Sequence, residues 1–76
     1  MHIEILTPDK TIYTGEIESA TFPGSKGQFQ VLNNHAALVS SLDKGVIKIK
    51  SSEGAKQFEI SGGVIEVLNN KIVVLA

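Results

Sequence analysis

Turn-forming residues interrupt this chain so often that a long helix does not fit between them, and the intervening stretches alternate apolar and polar side chains. From Gln28 to Val31, for example, both glutamines fall on one side of the run, and the phenylalanine and the valine fall on the other. A period of two is typical of a β-strand with one solvated face. Short runs of this kind, separated by glycine, proline and asparagine turns, indicate an all-β domain.

Two of the clearest turns lie between Phe22 and Leu42. Pro23–Gly24 ends one extended run, and Gly27 begins the next. Asn33–Asn34 then breaks that run, because asparagine tolerates left-handed backbone better than most residues. We expect both turns to be displayed at one end of a sheet.

A two-residue turn at Asn69–Asn70 predicts a hairpin of the primed type. With that turn, Val67 faces Ile72 across the two strands. Both faces of this hairpin carry aliphatic side chains, whereas a strand with one solvated face would alternate. We therefore expect one of its strands to lie centrally in a sheet or to be covered by a partner.

An earlier hairpin can be registered in the same way. With residues 52–55 as its loop, Ile49 faces Phe58, so that apolar pairs fall on one side and a lysine–glutamate pair falls on the other. Upstream, the apolar side of the run that begins at Thr11 changes near residues 18–19. A bulge or a local twist would explain that change.

These runs predict one domain over residues 1–76, a small two-sheet antiparallel β-sandwich or flattened barrel of about eight to ten short strands with no long helix. The chain has no cysteine and only two histidines, so we expect neither a disulfide nor a metal site. We expect no cofactor.

Charge and hydropathy limit the class of partner. The formal net charge is -1, and all seven basic residues are lysines, which argues against nucleic-acid binding because base recognition usually uses arginine. No apolar run approaches the roughly 18 residues of a membrane-spanning helix, and no signal peptide is evident. We expect a soluble, cytoplasmic chain without direct membrane insertion.

Two possible catalytic or binding motifs lack their structural context. The segment Gly24–Gly27 has the wrong spacing for a phosphate loop, and strands flank it where a phosphate or RNA clamp needs a helix. His35 with Ser40 or Ser41 and Asp43 would form a hydrolase triad only if these residues converged from separate elements. They lie too close along one extended stretch, so we expect no catalytic residue.

One candidate function is that of a biotinyl or lipoyl carrier domain. Such carriers are β-sandwiches of similar size, and Lys26 at a hairpin tip would be the modified lysine. Carrier domains flank this lysine with methionine, or with aspartate and alanine, and Ser25 and Gly27 match neither pattern. The alternative therefore depends on the fold, which does not determine function.

The chain closely resembles a known family through several motifs in a fixed order. The matching segments are 23–32 (PGSKGQFQVL), 34–38 (NHAAL), 45–47 (GVI), 60–67 (ISGGVIEV) and 70–75 (NKIVVL). They are similar to the N-terminal β-sandwich domain of the epsilon subunit of bacterial F-type ATP synthase, which is called delta in mitochondria. The likeness spans nearly the whole chain.

The resemblance implies a noncatalytic rotor subunit in the central stalk, which links the gamma subunit to the c-ring and supports coupling of proton transport to ATP synthesis. Such a subunit is peripheral, at the cytoplasmic face of the bacterial plasma membrane. The residues it implies as c-ring contacts are Ser25, Lys26, Gly27 and Gln28. Those it implies toward gamma are Thr7, His35 and Ser40.

The chain departs from the family pattern at two points. Ala37 stands where the family usually has proline after His-Ala, so that loop should be less restrained in the unfolded chain. Family members also commonly continue into a C-terminal helical hairpin after the position of Ala76. We expect that hairpin to be absent, and we do not assign its regulation of hydrolysis or its nucleotide binding to this chain.

Overall fold

Strands separated by short turns make up the structure. The computed structural model describes residues 1–76 and contains nine strands and no helix. In chain order the strands are β1 (His2–Leu6), β2 (Thr11–Glu16), β3 (Ser19–Gly24), β4 (Gly27–Leu32), β5 (Leu38–Leu42), β6 (Gly45–Ser51), β7 (Gly54–Ile60), β8 (Gly63–Leu68) and β9 (Lys71–Leu75). The predicted all-β class is confirmed.

The strands form one curled sheet that folds into two layers. Its order is β2-β1-β9-β8-β5-β3-β6-β7, with β4 paired to β3. A single residue pair, Gly24 with Leu42, joins β5 to β3, and the sheet folds over at this junction. The first layer therefore contains β2, β1, β9, β8 and β5, and the second contains β4, β3, β6 and β7.

One strand pairing differs from the predicted antiparallel arrangement. β1 and β9 pair in parallel, with Ile3 opposite Ile72, whereas the other pairings are antiparallel. The two strands lie at opposite ends of the sequence, so no local turn connects them and no hairpin pattern could indicate the pairing.

Aliphatic side chains from both layers fill the space between them. Fourteen hydrophobic residues are buried, and no polar side chain is. The largest is Phe22, whose ring centroid lies 5.6 Å from that of half-buried Phe29. The end strands β2 and β7 meet through Tyr13 and Phe58, with ring centroids 5.2 Å apart. Val31 is buried, and Gln28 and Gln30 are exposed, so the predicted alternation is confirmed.

The β8–β9 hairpin is as predicted. Val67 faces Ile72 across the strands. Asn69 and Asn70 have φ angles of 51° and 62°, and left-handed backbone at both positions is the mark of a type I′ turn. β8 and β9 both lie in the interior of the first layer, so the central position, one of the two alternatives expected from their apolar faces, is the one found.

The predicted register of the β6–β7 hairpin is wrong by two residues. Ile49 faces Lys56, and Ile47 faces Phe58. The turn is the pair Ser52–Glu53, and β7 begins at Gly54 with a φ of 113°. A shift of two residues leaves every side chain on its predicted face, so alternation alone could not distinguish the two registers.

The change of apolar side near residues 18–19 is not a bulge. β2 ends at Glu16 in the first layer, and β3 begins at Ser19 in the second layer. The apolar side changes because the chain crosses from one layer to the other, which places the core on the opposite side of the strand.

The turns gather at two ends of the sandwich. Loops 7–10, 25–26, 43–44 and 61–62 form what we refer to as the lower end. Loops 17–18, 33–37, 52–53 and 69–70 form the upper end. The turns that flank β4 therefore lie at opposite ends, and the prediction that both would be displayed at one end is wrong.

Candidate interaction surfaces

The outer side of the first layer is apolar in its middle. Four large aliphatic side chains there are between 46% and 70% exposed, namely Val39, Val64, Leu68 and Leu75. They belong to the neighbouring strands β5, β8 and β9. Together with Glu66 and half-buried Val73 on the same side, they form the surface that we refer to as the apolar face.

Register makes the members of the apolar face neighbours. Val64 lies opposite Leu75, and Val39 lies opposite Glu66. β8 and β9 carry aliphatic residues on both sides, so the inner set builds the core and the outer set remains in contact with water. Contiguous exposed aliphatic surface of this kind marks a site of contact with another molecule, because water is an unfavourable environment for it.

A short hydrogen-bond network organises the lower end. Ser25 Oγ donates to Asp43 Oδ1 at 3.0 Å, and Ser41 Oγ donates to Ser25 Oγ at 2.9 Å. The backbone amide of Ser25 donates to the carbonyl of Ser41 at 3.1 Å, and that of Asp43 donates to the carbonyl of Pro23 at 2.8 Å. The β3–β4 turn is thereby held against the β5–β6 turn.

The structure brings the first group of predicted contact residues together at the lower end. All four are exposed, namely Ser25, Lys26, Gly27 and Gln28. Ser25 is engaged in the hydrogen-bond network, whereas the side chains of Lys26 and Gln28 form no hydrogen bond or ion pair within the chain. These two side chains are therefore free to contact another molecule.

The second group of predicted contact residues is spread over the sandwich. Thr7 lies at the lower end, where its Oγ1 donates to the carbonyl of Lys10 at 3.2 Å. His35 is half-buried at the upper end, and its Nδ1 lies 2.7 Å from the carbonyl oxygen of Ala36. Ser40 pairs with buried Ile65, so its side chain is on the core side of β5. The structure does not bring these three residues into one cluster.

Sequence reasoning grouped the β8–β9 members of the apolar face on one side of that hairpin, but it did not propose them as contact residues and did not connect Val39 with them. Their signal was present in the two-sided apolar pattern of the β8–β9 hairpin, which indicated a central strand or a covered one. The structure shows that β8 and β9 are central and also exposed on one side.

The hydrolase arrangement has no geometric support. His35 lies before β5 at the upper end, and Asp43 lies after β5 at the lower end. β5 separates the two by about 17 Å, given roughly 3.4 Å per residue. Ser40 Oγ donates to the carbonyl of Ser41 at 3.1 Å, with no contact to the imidazole.

Comparison with known proteins identifies the family of this chain. A family model described as "ATP synthase, Delta/Epsilon chain, beta-sandwich domain" matches residues 1–76. The chain belongs to this family. The resemblance stated from the sequence motifs is thus confirmed. The match is to the delta/epsilon β-sandwich and not to a carrier domain, which was the alternative.

Curated relatives from bacteria agree with the family assignment. The chain is 48% identical over 77 residues to a protein of Campylobacter jejuni named ATP synthase epsilon chain, and it covers 60% of that relative. It is 40% identical over 75 residues to the protein of the same name from Leptospira borgpetersenii, and it covers 59% of it. The chain therefore spans about three fifths of the length of these relatives.

Solved structures share the delta/epsilon fold. A chain in the Euglena gracilis mitochondrial ATP synthase structure, described as OSCP/F1/c-ring in rotational state 1, superposes with a TM-score of 0.90 at 22% identity, over 97% of this chain and 48% of that one. A chain in the central stalk/c-ring structure of Tetrahymena thermophila mitochondrial ATP synthase gives 0.83 at 18% identity, over 97% and 60%. The structure of our chain contains no helix able to cross a membrane.

Proposed function

We propose that this chain is a noncatalytic component of the central stalk of an F-type ATP synthase. In this role it links the gamma subunit to the c-ring and supports coupling of proton transport to ATP synthesis. It lies peripherally at the cytoplasmic face of the bacterial plasma membrane. Membership of the delta/epsilon family and the names of the bacterial relatives support the proposal.

The apolar face is the observation that carries this proposal. Its four exposed aliphatic side chains form a surface that a solitary domain would leave in water. A stalk component needs a broad contact that survives rotation, and burial of aliphatic side chains supplies such a contact without requiring any chemistry. We assign the apolar face to the gamma subunit.

The lower end is assigned to the c-ring in the same proposal. Lys26 and Gln28 are free to contact polar loops, while Ser25 fixes the turn that presents them. Gly27 provides the tight exit from that turn, with a φ of 123°. Thr7, His35 and Ser40 remain proposed as residues toward gamma. The side chain of Ser40 points to the core side of β5, so gamma would reach it only along the open edge of that strand.

Capture by the partner subunits tests the proposal. The full chain should be retained by the cognate gamma subunit and c-ring, and Leu75→Glu should weaken that retention at least about tenfold because it places a charge in an apolar contact. Leu32→Glu is the matched control. Leu32 is 53% exposed and Leu75 is 57% exposed, but Leu32 lies on β4 in the second layer.

The two variants separate the proposal from a loss of folding. Both positions are exposed, so both variants should keep the melting temperature of the unmodified chain within a few degrees. If Leu32→Glu weakened capture as much as Leu75→Glu, or if neither had an effect, the assignment of gamma to the apolar face would be wrong.

A further inference from the structure

A carboxylate stands at the centre of the apolar face. Glu66 on β8 is exposed on the outer side of the first layer. Across the strands it faces Val39 on β5 and Val73 on β9. Along β8, its neighbours on the same side are Val64 and Leu68. Its four nearest neighbours on this side of the sheet are therefore aliphatic, and Lys71 lies diagonally across β9, where it lines a depression together with Glu66.

Glu66 has no partner within the chain. No hydrogen bond or ion pair joins its carboxylate to another group, whereas the other carboxylates of the first layer, on Glu4 and Glu16, have partners. Lys71 and His2 lie on the same side, and both are close to Glu4: Nζ of Lys71 lies 3.9 Å from Oε1, and Nε2 of His2 lies 3.6 Å from Oε2. The carboxylate of Glu66 is exposed and unpaired.

A shallow depression beside Glu66 has room for a side chain from another molecule. It lies between β5 and β8 and is lined by Ala37, Leu38, Val39, Glu66, Val67 and Leu68. Every lining side chain except that of Glu66 is aliphatic. An arginine or lysine suits this lining, because its methylene stem would lie on the aliphatic residues while its charged group reached the carboxylate.

When a partner covers the apolar face, the carboxylate of Glu66 needs a cation beside it. A partner seated on the surrounding aliphatic side chains would remove water from the carboxylate of Glu66, and an ionised carboxylate with neither water nor a counter-charge is strongly unfavourable. A cation on the partner would offset that penalty. A purely aliphatic partner surface would be opposed by Glu66.

A second copy of this chain does not meet the requirement. In a symmetric dimer through the apolar face, each Glu66 would be enclosed by the aliphatic side chains of both copies. The basic residues at its margin, Lys71 and His2, already lie close to Glu4. The charge arrangement therefore favours a partner of different sequence.

We infer that the gamma subunit inserts an arginine or lysine side chain into the depression between β5 and β8 and pairs it with Glu66. The inference rests on the proposed function, since that proposal places the gamma subunit on the apolar face. The pair acts on specificity: aliphatic surfaces alone would allow the two subunits to shift against each other, and one charge pair at the centre fixes their relative position.

Glu66→Gln tests the pair, since it removes the charge and keeps the shape of the side chain. Binding of the full chain to the isolated gamma subunit, measured by calorimetric titration, should weaken at least about tenfold, because one partner of an enclosed charge pair has been neutralised. Glu59→Gln is the control, since Glu59 is an exposed carboxylate on β7 in the second layer. The affinity of the Glu59→Gln variant for gamma should stay within about twofold of that of the unmodified chain.

Charge reversal adds a second measurement. Glu66→Lys should weaken binding further, and replacement of the partner's basic residue by glutamate should restore it. If Glu66→Gln bound as tightly as the unmodified chain or more tightly, the charge pair would be refuted while the proposed function stood. If the folded, unmodified chain failed to bind gamma, the proposed function would fail. A dimer in sedimentation that Leu75→Glu dissociates would assign the apolar face to a second copy and overturn the inference.

Discussion

Phe22 is the residue on which the core depends most. It is the largest side chain with no exposed surface, and it packs against Phe29 in the second layer. Phe29 was expected to lie on the apolar side of its strand, which is confirmed, but it is only half-buried. The difference arises because β3 has neighbours on both sides whereas β4 has only β3.

Removal of these two rings should therefore have unequal effects. Phe22→Ala should lower the free energy of unfolding by about 3–5 kcal/mol, since it leaves a cavity that the two layers cannot close. Phe29→Ala should lower it by about 1–3 kcal/mol, because part of that ring is already in water. Urea denaturation measures both, with Gln30→Ala as a control expected within about 0.5 kcal/mol. Equal losses for the two phenylalanines would contradict this description of the core.

At the scale of elements, hairpins were predictable where the turn itself was specific. The asparagine pair at 69–70 stands between two apolar runs and favours a two-residue primed turn, and the register of β8–β9 followed correctly from it. The turn between β6 and β7 contains serine, glutamate and glycine, which are compatible with loops of two or four residues. Because both registers preserve the faces, the sequence pattern does not distinguish them, and the observed pairing of Ser51 with Gly54 does.

Substitutions in the β3–β4 hairpin should change function while leaving stability unchanged. Lys26→Glu and Gln28→Lys should each leave the free energy of unfolding within about 0.5 kcal/mol, because both side chains are exposed and lack partners in the chain. In the assembled enzyme, the ratio of protons pumped to ATP hydrolysed should change if this turn contacts the c-ring. A large fall in melting temperature would show instead that these side chains support the fold.

The candidate surfaces were less predictable than the strands. Alternation in the sequence assigns each residue to a side of its strand, as it did for β1, β4 and β8. It does not record which strands are neighbours across the molecule, so the contiguity of Val39 with the β8–β9 hairpin became visible only in the sheet order. The parallel pairing of β1 with β9 escaped prediction for the same reason.

For the whole molecule, the two layers make a stiff body with distinct surfaces. Cross-strand hydrogen bonds link every strand to a neighbour, and the close-packed aliphatic core resists deformation. Such a body can pass a displacement from its apolar face to its lower end without absorbing it. That property suits a component placed between a rotating shaft and a ring.

Solvent accessibility of the apolar face in the assembled enzyme tests this account most directly. The chain has no cysteine, so Val64→Cys and Leu32→Cys each introduce a single thiol, on β8 and β4 respectively. A maleimide should label both thiols at similar rates in the free chain. In the assembled ATP synthase, labelling at position 64 should slow by at least about tenfold while labelling at position 32 continues, because the proposal places gamma over the first position and not over the second. Equally fast labelling of both thiols in the assembled enzyme would contradict the account.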